Sequence, residues 1–153
     1  MLKKYVIMPA LIAAIYCALT LMFMPISFGP VQVRIAEALT ILPYFTPSAI
    51  YGLFIGCLLS NMIGGAGILD IVFGSLATLL AASLTHALKN KFLAPWPPVI
   101  INMFVVGYIL KIYYGMDYWV AVASVGLGQI ISCCGLGYLL LFQLDKYKDR
   151  LFT

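Results

Sequence analysis

Long apolar runs, interrupted by proline, glycine and a few charges, set the pattern of this chain. Breaks at Pro25 to Pro30, Tyr44 to Pro47, Gly64 to Gly67, Lys89 to Pro98 and Gly115 to Asp117 leave six apolar segments, at 5–24, 31–44, 47–63, 68–88, 97–114 and 118–142. In lipid the backbone N–H and C=O groups have no water to bond, so continuous apolar runs predict helices rather than irregular chain. The first, fourth and sixth segments have 20 or more residues, enough at about 1.5 Å per residue to cross a hydrocarbon core of about 30 Å. The second is short enough to start inside the membrane.

Composition agrees. Hydrophobic residues make up 64% of the chain and charged residues 9%, with a mean hydropathy of +1.08, far from the roughly one-half apolar and one-quarter charged make-up of soluble domains. The expected fold is all-α: a polytopic membrane protein in which 1–153 forms one compact bundle of six transmembrane helices. No room remains for a soluble catalytic domain. The first segment begins at Lys3 and Lys4 like a signal peptide, yet runs to Met24 without a small-residue cleavage pattern and is expected to be retained.

The basic residues set an orientation. Lys3 and Lys4, Lys89 and Lys91, and Lys146, Lys148 and Arg150 fall at the start, at the connection after the fourth segment and at the tail, which six helices bring to one side. The excess of Lys and Arg on cytoplasmic loops makes that side, with both termini, cytoplasmic. The net charge of +4 therefore describes topology, not nucleic-acid binding. Arg34, Glu37, Asp70, Lys111 and Asp117 are left near the outer side.

Most strongly polar side chains map to the outer half of the bundle. Gln32, Arg34 and Glu37 enter with the second segment, Asn61 ends the third, Asp70 begins the fourth, and Gln129 lies about ten residues into the sixth; Asn102 sits in the inner half of the fifth. A charge in hydrocarbon costs about 2.5–3.5 kcal/mol on insertion scales, so an intramembrane Arg and Glu are by default functional candidates. At i and i+3 the two can share a helix face and form an ion pair that serves only the fold. The larger set supplies both donors and acceptors, as a polar heterocycle with a donor–acceptor edge would require. Asp70 has an equal claim as a first-turn acid favoured by the helix dipole.

Structural readings are expected for other features. Asp117 looks like a cap, and His86 lies close to Lys89. Tyr113, Tyr114, Tyr118 and Trp119 fit an interfacial aromatic belt better than a stacking pocket. Cys17, Cys57, Cys133 and Cys134 lack C-x-x-C spacing and nearby histidines and read as small buried hydrophobes, with no metal or cofactor expected. Gly52, Gly56 and Ser60 form a small-residue stripe suited to close helix packing, as do Ala10, Ala14 and Ala18. No phosphate loop, H-E-x-x-H or G-x-S-x-G motif occurs, so neither ATP hydrolysis nor another enzymatic activity is expected.

The run from Gly29 to Thr40 (GPVQVRIAEALT), followed by Gly52 to Cys57 (GLFIGC), Asn61 and Gly67 to Leu79 (GILDIVFGSLATL), resembles the QueT family of queuosine-precursor transporters, which are substrate-binding S components of energy-coupling factor (ECF) transporters. The resemblance is specific from Gly29 to Leu80 and generic beyond Leu88, apart from a short run around Asn102. It implies a six-helix protein of the bacterial plasma membrane whose pocket opens outward. Import is then driven by a separate transmembrane coupling protein and two ABC ATPases. The implied substrates are 7-deazaguanines such as queuine and pre-queuosine 1. The resemblance also assigns Ala10, Ala14 and Ala18 to docking on the coupling protein. Glu37 would accept from the ring N–H and exocyclic amine, Asp70 would pair with an aminomethyl cation, and Asn61, Asn102, Gln129 or Arg34 would bind the carbonyl and remaining ring atoms, with Gln32 beside them. An S component for another vitamin-like substrate and a self-sufficient small transporter are the alternatives.

Overall fold

A computed structural model describes residues 3–29 and 31–151, with the Lys3 and Lys4 side chains and Pro30 outside the described residues. All regular elements among the described residues are helical. A π-helical start at Lys3–Ile7 leads into α1 (Met8–Met22), followed by the short α2 (Met24–Ser27), a ten-residue 3-10 helix (Ile35–Tyr44) and α3 (Ser48–Ile63). A π turn (Asp70–Gly74) opens α4 (Ser75–Ala87). A 3-10 turn (Lys91–Leu93) precedes α5 (Trp96–Tyr114); α6 (Tyr118–Gln129) then runs through a second π segment (Ile130–Leu136) into α7 (Gly137–Leu151).

Among the described residues, four helices are long and apolar enough to cross a membrane: Tyr5–Met22, Asp70–Ala87, Lys91–Tyr114 and Tyr118–Leu151; Ile35–Tyr44 and Ser48–Ile63 are shorter apolar helices. The chain is a helical membrane protein. The last helix has 34 residues, about 51 Å at 1.5 Å each, and passes the boundary expected at 142 because Leu, Gln, Lys and Arg in its tail are good helix formers even where charge ends the apolar span.

The second segment departs from the expected continuous helix. Residues 31–34 are not helical: Arg34 is extended, with φ −94° and ψ 103°, and Val33 N–H donates to the Ile26 carbonyl at 2.9 Å and to the Val31 carbonyl at 3.1 Å. The following 3-10 helix is long for its kind, since runs beyond three or four residues are uncommon. Two side chains favour it. Thr40 Oγ1 donates to the Glu37 carbonyl at 2.6 Å, taking up an acceptor three residues back, and Pro43 has no N–H to offer an α-helical ladder.

Close approach fixes the relative placement of the helices. A Cβ on Gly52 would lie 2.8 Å from the Pro9 carbonyl and one on Gly56 2.9 Å from Tyr16 Cβ, so α1 and α3 run parallel in contact; the Gly52–Gly56–Ser60 stripe predicts the close packing, and the structure supplies its partner and direction. Asn102 faces Gln129 and Gly107 faces Val122, which makes α5 and α6 antiparallel. Successive long segments alternate in direction. One end of the bundle gathers Lys89, Lys91 and Lys148: Lys91 Nζ meets Asp145 at 2.9 Å, and the Tyr44 hydroxyl donates to the Lys89 carbonyl. Both ends of the described chain lie there. The opposite end carries Phe28, Gly64 to Gly67, Tyr113 and the Asp117 cap, which accepts from the Trp119 and Val120 amides at 3.0 and 3.2 Å.

Candidate functional site

All seven polar residues singled out in the sequence are buried: Gln32, Arg34, Glu37, Asn61, Asp70, Asn102 and Gln129. Arg34, Glu37 and Asp70 are the buried charged residues among those described, one basic side chain against two acidic ones. The direct ion pair between Arg34 and Glu37 is not formed. Arg34 precedes the 3-10 helix rather than sharing its face, and its Nε donates to the Ser27 carbonyl at 3.2 Å while its guanidinium lies over the Phe28 ring at 5.1 Å. Glu37 and Asp70 both act on it at Coulombic range.

Glu37 is held from α1. The Tyr16 hydroxyl, fully buried, donates to Glu37 Oε1 at 2.5 Å, a short charge-assisted contact of the strong kind. Glu37 Oε2 is buried with no partner. Arg34 Nη2, Asn61 Oδ1 and Asp70 Oδ1 share that condition. Buried polar atoms are nearly always paired, and each exception calls for an explanation such as a ligand. Asp70 does stand in the first turn of its helix, where the dipole favours an acid, and its Oδ1 is nevertheless left without a partner.

These side chains form linked groups. Asn61 Nδ2 donates to the Asp70 carbonyl at 2.9 Å and reaches Cys57 Sγ at 3.6 Å; Arg34 Nη1 and Thr78 Oγ1 reach the same sulfur at 3.9 and 3.4 Å. On the other side Asn102 Nδ2 donates to Gln129 Oε1 at 3.3 Å. Cys133 Sγ donates to the same Gln129 oxygen at 3.3 Å and approaches the Glu37 carbonyl at 3.6 Å. Asn102 and Gln129 thus partly satisfy one another. The Gln32 backbone crosses α6 where Gly128 leaves no Cβ to meet its carbonyl. With Asp70, Gln32 lines a cavity of about 350 Å³ at the end of the bundle away from the lysines, together with Phe28, Gly64 to Gly67, Tyr113 and Tyr114. The Tyr113 hydroxyl accepts from the Leu69 amide at 2.9 Å.

Tyr16, Thr40, Cys57, Thr78 and Cys133 were not read from the sequence as part of this set. Tyr16 and Thr20 are the polar members of the buried face of α1, shared with Pro9, Ile12 and Ala13, and that periodicity is a usable signal. The cysteines need correction. Cys57 and Cys133 are buried, but both make polar contacts rather than serving only as hydrophobes, while Cys17 and Cys134 are half-buried. His86 Nδ1 lies 2.7 Å from the Pro43 carbonyl, in keeping with its structural reading. Ala10, Ala14 and Ala18 are exposed, opposite the face that packs on α3.

Comparison with known proteins adds one decisive observation: residues 6–146 match the family model described as QueT transporter. The chain belongs to the QueT transporter family. It is 28% identical over 156 residues to Queuosine precursor transporter QueT of Lactococcus lactis subsp. cremoris (strain MG1363), with 92% of this chain and 91% of the relative covered. No solved structure matches. The family model spans every element from α1 into α7, including all seven buried polar residues. Membership in this family makes the protein a transporter rather than an enzyme.

Proposed function

We propose that this protein is the substrate-binding S component of an ECF importer that takes up queuosine precursors, 7-deazaguanines such as queuine or pre-queuosine 1. The observation that carries the reading is the group of unpartnered buried atoms, Glu37 Oε2, Asp70 Oδ1, Asn61 Oδ1 and Arg34 Nη2. Their mixed donor and acceptor character suits a purine-like ring, and the name of the Lactococcus relative supplies the class. Glu37, steadied by Tyr16, accepts from the ring N–H and exocyclic amine. Asp70 takes the amine of the side arm, which supplies the cation that two buried acids and one base leave wanting. Arg34 and Asn61 serve the carbonyl side, and Asn102, Gln129 and Gln32 the remaining ring edge.

The 153 residues act as one membrane domain of six spanning segments, with the lysine-rich end cytoplasmic by the positive-inside rule. The cavity beside Gln32 and Asp70 then opens outward. Energy comes from a separate coupling protein and two ABC ATPases. The exposed stripe of Ala10, Ala14 and Ala18, left uncovered by α3, is where small side chains let a partner helix approach closely.

Native mass spectrometry and calorimetry of the purified protein, with queuine, pre-queuosine 1 and a panel of vitamins, test the substrate class. Retention of a deazaguanine is expected, and Glu37→Gln and Asp70→Asn should each weaken it at least tenfold. A retained vitamin, or equal affinity in both variants, sinks the site assignment. Accumulation of substrate in liposomes by this protein alone would sink the ECF assignment.

A further inference from the structure

Three hydrogen-bond donors meet at one sulfur. Thr78 Oγ1 lies 3.4 Å, Asn61 Nδ2 3.6 Å and Arg34 Nη1 3.9 Å from Cys57 Sγ, and Cys57 is 1% exposed; Thr78 Oγ1 also donates to the Gly74 carbonyl at 3.1 Å and Asn61 Nδ2 to the Asp70 carbonyl at 2.9 Å. Thioether and thiol sulfur are weak acceptors, and one thiol cannot serve three donors well. The surroundings are equally underused. Nη2 of the same guanidinium and Oδ1 of the same Asn61 have no partner, although Arg34 is 4% and Asn61 0% exposed. A donor set of this kind is built for a stronger acceptor than the sulfur it now surrounds.

The neighbours say what that acceptor is attached to. Cys57 follows Gly56, whose absent Cβ brings α3 against Tyr16, and Tyr16 holds Glu37. The donors around Cys57 and the Glu37 carboxylate are therefore neighbours across the contact of α1 with α3. In a 7-deazaguanine the 6-oxo group stands next to the ring N–H, so one edge offers an acceptor beside two donors.

We infer that Cys57 is a stand-in acceptor, and that Arg34, Asn61 and Thr78 turn from its sulfur to the 6-oxo oxygen of the bound base. This rests on the deazaguanine reading above. Thr78 thereby becomes a specificity-determining residue, selecting the oxo form of the ring, and Cys57 its placeholder in the empty site. The thiol keeps the donors gathered while the site is empty and gives them up at small cost, because what it offers is weak. A hydroxyl in its place would hold them.

The ranking of two substitutions tests this. Calorimetry with 7-deazaguanine on the purified full chain should show Cys57→Ala binding as tightly as wild type or tighter, and Cys57→Ser binding about tenfold more weakly, the scale of one hydrogen bond to a charged or strongly polar group. A packing role predicts the reverse, since serine nearly preserves the volume and alanine does not; serine binding as well as or better than alanine overturns the inference. Thr78→Val, which keeps the shape and removes a donor, supplies an independent arm. It should weaken 7-deazaguanine several-fold and leave its 6-thio analogue, a poorer acceptor, nearly unchanged. Equal loss for both compounds, or none, counts against the role. If wild type fails to bind 7-deazaguanine at all, the substrate reading falls; if wild type binds and only the variant order is reversed, the inference about Cys57 alone falls.

Discussion

Tyr16→Phe isolates a single interaction at the heart of the site. The substitution keeps the ring, which is fully buried where α1 meets α3 at Gly56, and deletes only the hydroxyl that donates to Glu37 Oε1 at 2.5 Å. Because Glu37 Oε2 already lacks a partner, the variant leaves both oxygens of a buried carboxylate bare. A hydrogen bond to a charged group contributes about 1.5–3 kcal/mol net, which corresponds to about ten- to a hundredfold in affinity when the carboxylate must be held in place to read a ligand. Calorimetry with pre-queuosine 1 should show that loss in Tyr16→Phe. A double variant with Glu37→Gln decides whether Tyr16 acts through Glu37, because residues on one pathway are not additive: the pair should bind no worse than Glu37→Gln alone. Wild-type affinity in Tyr16→Phe, or losses that sum in the double variant, would refute the reasoning.

Other substitutions probe different links. Gly128→Ala places a methyl against the Gln32 carbonyl and should cost about 1–3 kcal/mol through overpacking, seen as a lower midpoint in thermal unfolding together with weaker binding as residues 31–34 are displaced. Ala14→Trp, on the exposed face of α1, should abolish uptake in cells carrying the coupling protein and ATPases while ligand affinity stays near wild type; parallel loss of both would count against docking there. Asp117→Ala removes the cap that accepts from the Trp119 and Val120 amides and should lower stability by about 1 kcal/mol with no change in ligand affinity.

Burial of the seven polar residues was legible because charge and amide groups are too costly in an apolar chain to be incidental. Their partners were harder to see. Tyr16 and Thr78 look like ordinary members of apolar helices, and only the folded arrangement brings them to Glu37 and Cys57, 21 residues away in each case. The direct contact inferred for Arg34 and Glu37 assumed α-helical spacing, which fails because Arg34 precedes the helix in an extended conformation and turns to the Ser27 carbonyl. Gly52 and Gly56 were read correctly because close helix approach depends on spacing alone. Local propensity could not reveal the 3-10 helix, since its cause lies in Thr40 and Pro43 acting on backbone bonds.

That 3-10 helix ties reach to bearing. At three residues per turn Glu37, Thr40 and Pro43 stand in one line along Ile35–Tyr44, and Glu37 meets Tyr16 while Thr40 meets Cys133. Rewinding the same ten residues into an α-helix would shorten the segment by about 5 Å and swing Thr40 about 60° away from Glu37. The grip on α1 and the grip on the last helix coexist only in the threefold register. Length and hold are one mechanical variable here, so rewinding that shortens this segment also takes Thr40 out of line with Glu37.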